Sequence, residues 1–178
     1  MTAVVIDTNV LLVANGAHDD VSDGCRRACI DRLLAQQKSG VTVIDDGFRI
    51  LGEYLHKTSP ARPKGVGDAF LKWLLQNRRN PARVQEVALT ETDGEGFAEF
   101  PGSALQPQFD PSDRKFAAVA HAHPDRPVVW QAADCKWLDW WQALGEAGVR
   151  VEFLCPDDAC RFYAAKFPDR PAPRMPPA

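Results

Sequence analysis

Short apolar runs alternate with stretches of helical periodicity along most of the chain. Residues 3–6, Ala-Val-Val-Ile, are apolar without alternation, the pattern of a strand buried on both faces. Residues 10–14 begin a helix, which Asn15-Gly16 interrupts. Residues 24–38 put Ala28, Ile30, Leu33 and Leu34 at helical spacing and end at Ser39-Gly40. A second strand is predicted over 41–44. Asp45-Asp46-Gly47 follows, with Asp46 as N-cap of a helix over 48–57. Phe48, Leu51 and Leu55 give that helix an apolar face, and Glu53 falls on a neighbouring one. Residues 59–65 form a loop, and Val66, Phe70, Trp73 and Leu74 mark another amphipathic helix over 66–78.

A third strand is expected over 83–89. The segment 90–109, rich in Gly, Pro and acids, resists assignment. A helix over 112–122 starts with Ser112 as N-cap. A strand over 127–130 leads into Ala132-Ala133-Asp134, a helix over 137–147 ends at Gly148, and a last strand closes the pattern over 149–154. Strands alternating with helices imply an α/β fold whose mostly parallel sheet has helices on both faces. The expected organisation is one domain over 1–167 and a Pro-rich, disordered or extended tail over 168–178.

A length of 178 residues suits one domain with a substantial core. No apolar run approaches the roughly 18 residues of a membrane span. The N-terminus lacks a basic region and meets Asp7 early, so no secretory signal and a cytoplasmic location are expected. Five cysteines, an odd number, without a CxxC pair argue against both a disulfide framework and a zinc site, leaving small buried thiols. The formal net charge of −3 counts mildly against a phosphate-binding protein, unless the acids gather around cations.

The sheet rule then sorts the acids, because ligands of such folds bind at the carboxyl ends of the strands. Asp7 ends the first strand, and Asp134 lies just past the fourth. Asp113 sits in the first turn of a helix that precedes a strand, which brings it to the same edge. Glu53 reaches that edge if its helix leans across it. Each acid alone also suits a structural role: Asp7 as a cap, Asp113 on a helix dipole, Glu53 in solvent, Asp134 in a turn. Together they would repel, by about 4 kcal/mol per pair at 4 Å and an effective dielectric near 20, unless a cation joins them. Oxygen ligands without His or Cys indicate Mg²⁺ or Mn²⁺. Such an ion polarises a phosphoryl oxygen and acidifies an attacking water, so the reaction class is metal-assisted phosphodiester hydrolysis. Arg114 and Lys115, beside Asp113, are placed to meet a substrate phosphate. Trp137, Trp140 and Trp141 suit core packing better than base stacking, and Arg78, Arg79 and Arg83 form a small basic group.

At these residues the chain resembles the PIN-domain nucleases. VVIDTNVLL at 4–12 is similar to the family's opening strand and Asp. ILGEYL at 50–55 resembles its Glu-bearing helix, DPSDRKFAAVAHA at 110–122 its Asp-initiated helix, and PVVWQAADCKW at 127–137 its strand followed by Ala-x-Asp. The four stand in order across roughly residues 3–155. The resemblance implies a three-layer α/β/α sandwich and a Mg²⁺- or Mn²⁺-dependent ribonuclease, often the toxin of a toxin–antitoxin pair. It implies metal binding by Asp7, Glu53, Asp113 and Asp134, with Thr8 and Asn9 as hydrogen-bonding support. RNA is then the substrate, an antitoxin protein the partner, and a homodimer the expected assembly, with no membrane involved. Where the family often carries a further acid, this chain has Lys136 and Trp137, which leaves a second metal site doubtful. The runner-up is a non-catalytic module of the same fold that binds RNA or a protein. An aspartyl-nucleophile phosphohydrolase is disfavoured because position 9 is Asn, and no P-loop or GxGxxG is present.

Overall fold

A computed structural model describes residues 2–177. Five strands build a parallel sheet: β1 (Ala3–Ile6), β2 (Val41–Asp45), β3 (Val84–Val87), β6 (Val128–Gln131) and β7 (Val151–Phe153), in the order β3-β2-β1-β6-β7. A separate antiparallel hairpin joins β4 (Glu91–Thr92) to β5 (Gly96–Phe97) within the segment that the sequence left unassigned. The helices are α1 (Thr8–Ala14), α2 (Asp23–Ser39), α3 (Arg49–Lys57), α4 (Val66–Asn77), α5 (Arg114–Ala122), α6 (Trp141–Glu146) and α7 (Pro156–Lys166). The architecture is α/β and consistent with three α/β/α layers. No helix among the described residues is long and apolar enough to cross a membrane.

The central strands are buried, as their unalternating apolar sequences require. Val4, Val5 and Ile6 of β1 and all five residues of β2 are shielded from solvent. α1, α2 and α4 pack on one another, while α5 lies over β1, β2 and β6. Chain order reverses at β1. β2 and β3 extend the sheet to one side, and β6 and β7 return on the other. A crevice therefore opens between the carboxyl ends of β1 and β6. Past β6, Phe109 stacks on Trp140 with centroids 4.0 Å apart and meets Trp137 edge-on at 5.6 Å. These tryptophans belong to the core, with Trp137 fully buried. They anchor the 3-10 turn Cys135–Asp139 that follows Asp134.

Several local expectations change. Asp45, not Asp46, caps α3: its Oδ2 accepts from Arg49 N at 3.0 Å and its Oδ1 from Ile50 N at 2.9 Å. Phe48 adopts a left-handed φ of 63°, which turns the first helical N–H groups back onto the last residue of β2 and leaves Phe48 exposed. Leu55 is likewise exposed, and Tyr54 takes the core position. Ser112 does not cap α5, because a 3-10 turn, Pro111–Asp113, precedes that helix. α7 was not anticipated. It packs against the turn Cys135–Asp139.

The cysteines also depart from expectation. Cys25 and Cys155, 130 residues apart, form a disulfide that ties α2 to the residue preceding α7. Cys29, one turn along α2, remains a buried thiol 3.9 Å from the Cys155 sulfur. The odd count hid the pairing because parity says nothing about which thiols the fold brings together. The chain from 168 to 177 has no regular structure but folds back. Arg170 reaches Asp139, and Trp141 Nε1 donates to the Arg174 carbonyl at 2.9 Å.

Candidate metal centre

Asp7 leaves β1 at the crevice, where its backbone N–H donates to the Trp130 carbonyl of β6 at 3.0 Å. Its two carboxylate oxygens have different fates. Oδ1 accepts from Asn9 N at 2.9 Å and so caps α1. Oδ2 is buried without a hydrogen-bond partner. Oδ1 thus meets the reading of Asp7 as a cap, while Oδ2 takes no part in it. An ionised oxygen in that position is costly unless a positive charge joins it.

The charges of Asp113 and Asp134 reach Asp7. Burial, then the Asp113 charge, with a smaller push from Asp134, raises Asp7 to about 8, against the pull of the Asn9 N–H. Burial, then the Asp134 and Asp110 charges, raises Asp113 to about 7, although Lys136 and Lys115 oppose the shift. Asp134 Oδ1 accepts from Lys136 N at 3.1 Å, which makes it the cap of the turn after β6. Three of the four expected acids therefore share one electrostatic neighbourhood.

Glu53 stands apart from that trio. Thr8 Oγ1 donates to its Oε1 at 2.6 Å, and Lys115 Nζ forms an ion pair with its Oε2. Lys115 Nζ also donates to the Ser112 carbonyl. Tyr54 donates its hydroxyl to the Ile6 carbonyl, locking α3 against the end of β1. Asn9 spans the crevice by donating to Gln131 Oε1 at 2.9 Å and accepting from Ala132 N at 2.9 Å. It therefore holds the turn that delivers Asp134.

Arg114 does not meet the expectation of a phosphate contact. Its buried guanidinium donates to the carbonyls of Phe109 and Gly94, at 3.1 and 2.8 Å, and more weakly to that of Glu95. Helical geometry turns it away from Lys115 and toward the β4–β5 hairpin, which it tethers. Arg78 and Arg83 are also engaged, with Glu86 and the Gln37 carbonyl respectively.

Asp110 and Lys136 were missed as site residues. They pair with each other at the rim, and Asp110 adds charge beside Asp113. Burial lowers the Lys136 pKa, but the Asp110 hydrogen bond and the charges of Asp134 and Asp113 outweigh it and hold the ammonium above its ordinary value. The Asp110-x-x-Asp113 spacing around Pro111 was the available signal. Asp139, the later acid, faces elsewhere and binds the Tyr163 hydroxyl and Arg170.

The donor set suits a hard cation: oxygen ligands, one of them orphaned, and two acids whose charge the site disfavours. Among the described residues, no three acids bring carboxylate oxygens within 4.8 Å of one another. That wider spacing is compatible with Mg²⁺, which keeps several waters and takes only one or two carboxylates directly. No protein-family model, no curated protein and no solved structure matches this chain.

Proposed function

We propose that the chain is a Mg²⁺- or Mn²⁺-dependent ribonuclease of the PIN-domain kind, cutting RNA phosphodiester bonds at the β1–β6 crevice. Asp7 carries this reading: an acid buried at the switch point of a parallel sheet, with an unpartnered oxygen, opposite Asp113 and Asp134. These three would hold the ion, with Glu53 completing the acidic set through Thr8. Bound there, the cation supplies Lewis-acid polarisation of a phosphoryl oxygen and lowers the pKa of the attacking water.

The chain's own residues do the positioning. Asn9 fixes the Asp134 turn, and Thr8 fixes the Glu53 carboxylate. Lys136, half-buried and paired with the more exposed Asp110, can exchange that partner for a substrate phosphate. The toxin role, with an antitoxin protein as partner and a homodimeric assembly, belongs to the same proposal. It is tested by cleavage of labelled single-stranded RNAs with Mg²⁺, with Mn²⁺ and with chelator, alongside Asp7→Asn. Metal-dependent cutting lost in a folded Asp7→Asn variant supports the reading. Absence of both metal binding and cutting refutes it.

One observation favours a second reading, a non-catalytic module that binds RNA or protein. Lys115 and Lys136 already neutralise Glu53 and Asp110 from within the acidic group, as internal counter-ions would in a site that needs no metal. Calorimetric titration with Mn²⁺ separates the two, since the module binds none.

A further inference from the structure

A cleft of about 270 Å³ opens beside the acids and includes Asn9 and Asp134 in its wall. Its opposite wall is aromatic. The exposed His18 ring stacks on the half-buried Phe162 ring of α7, with centroids 5.6 Å apart and planes 24° from parallel. The Arg161 guanidinium lies 4.6 Å from the Phe162 centroid. This wall is pinned in place. Asp158 of α7 accepts from Ser22 N at 2.6 Å and Ser22 Oγ at 2.8 Å, and Arg161 donates to the Asp20 carbonyl at 2.8 Å. The Cys25–Cys155 disulfide closes the same junction. The loop carrying His18 is thus held to α7 from three directions, so occupying the cleft costs little ordering.

We propose that this cleft seats one unpaired nucleobase of the substrate strand, stacked on His18, next to the phosphate presented to Asp134. The inference rests on the nuclease reading of the neighbouring acids. The size and lining of the cleft support it. The volume lies just below the roughly 300 Å³ at which drug-sized ligand pockets begin, enough for one heterocycle. A lining that combines an aromatic ring with a carboxylate matches a base and the phosphate beside it. A base must leave its helix to enter, which selects single strands.

Binding of a short fluorescein-labelled single-stranded RNA, measured by anisotropy in chelator, tests this without needing catalysis. His18→Ala is expected to weaken binding roughly 5- to 140-fold, the range for losing one base–aromatic stack. His18→Tyr should restore it. An RNA with an abasic site at the seated position should bind wild type with the same loss, and His18→Ala should then add nothing. Binding by His18→Ala equal to wild type, or equal affinity for duplex and single strand, overturns the inference. Metal-dependent cleavage by the same proteins separates the two claims. Cutting with RNA affinity and KM unchanged in His18→Ala removes the base site alone. Stacking-dependent binding by a wild-type protein that cuts nothing removes the nuclease reading alone.

Discussion

Thr8 Oγ1 donates to Glu53 Oε1 at 2.6 Å across 45 residues of sequence. The residue beside Asp7 thereby aligns the acid of α3, while Lys115 of α5 holds that carboxylate's other oxygen. Three helices that share no local sequence meet at this one side chain. Thr8→Val should destabilise the fold by about 1.5 kcal/mol, the lower end for a hydrogen bond to a charged group. Thr8→Ser should not. Urea denaturation of the two variants measures the difference.

Asp7→Asn should separate stability from activity. The amide keeps an oxygen for the Asn9 N–H cap and removes a carboxyl whose ionised form burial disfavours. At neutral and higher pH the metal-free variant should melt no lower than wild type. Metal-dependent cleavage should fall at least about 100-fold, since the ion contributes several kcal/mol to the transition state. A large fall in melting temperature would instead assign Asp7 a purely structural role.

The pH dependence follows from the raised acids. Asp7 and Asp113 titrate near 8 and 7 in the fold, while unfolded carboxyls titrate near about 4. Folding therefore takes up protons between those values. The stability these groups contribute is complete below about pH 4 and is lost as pH rises through 7 and 8. Melting curves without metal should decline across that window. Mg²⁺ or Mn²⁺ should reverse the decline, most strongly above pH 8, by about 2.7 kcal/mol at a concentration of 100 Kd. Equal metal effects at low and high pH would place the ion elsewhere.

The Cys25–Cys155 bridge closes a loop of 130 residues between α2 and α7. Reduction should lower stability by about 2–4 kcal/mol. Because the Cys29 sulfur lies 3.9 Å from that of Cys155, Cys25→Ala alone allows a substitute pair. The Cys25→Ala/Cys29→Ala double variant should therefore lose more than the first substitution alone. Melting temperatures with and without reductant test this.

Much of the framework was legible because it is local. The unalternating run at 3–6 and the β-branched run at 41–44 suit buried strands, and their Asp-bearing exits marked the carboxyl edge. Chain order alone sends Asp7, Asp113 and Asp134 to that edge, where their charges act on one another. Glu53 was visible as a helical acid, but its engagement with Thr8 and Lys115 was not, because a helix position says nothing about its distant partners. Arg114 and Lys115, neighbours in sequence, were assigned one role. Helical geometry points one at the hairpin and the other at Glu53.

The sequence by itself determined the alternation of strands and helices and the edge at which the acids emerge, since hydrophobic period and strand direction are properties of short segments. Only the tertiary structure decided which cysteines pair, which lysines neutralise which acids, that Asp45 rather than Asp46 caps α3, and that His18 and Phe162 share a wall beside Asp134. Each of these joins groups whose separation in space is set by packing, and packing is a property of the whole chain.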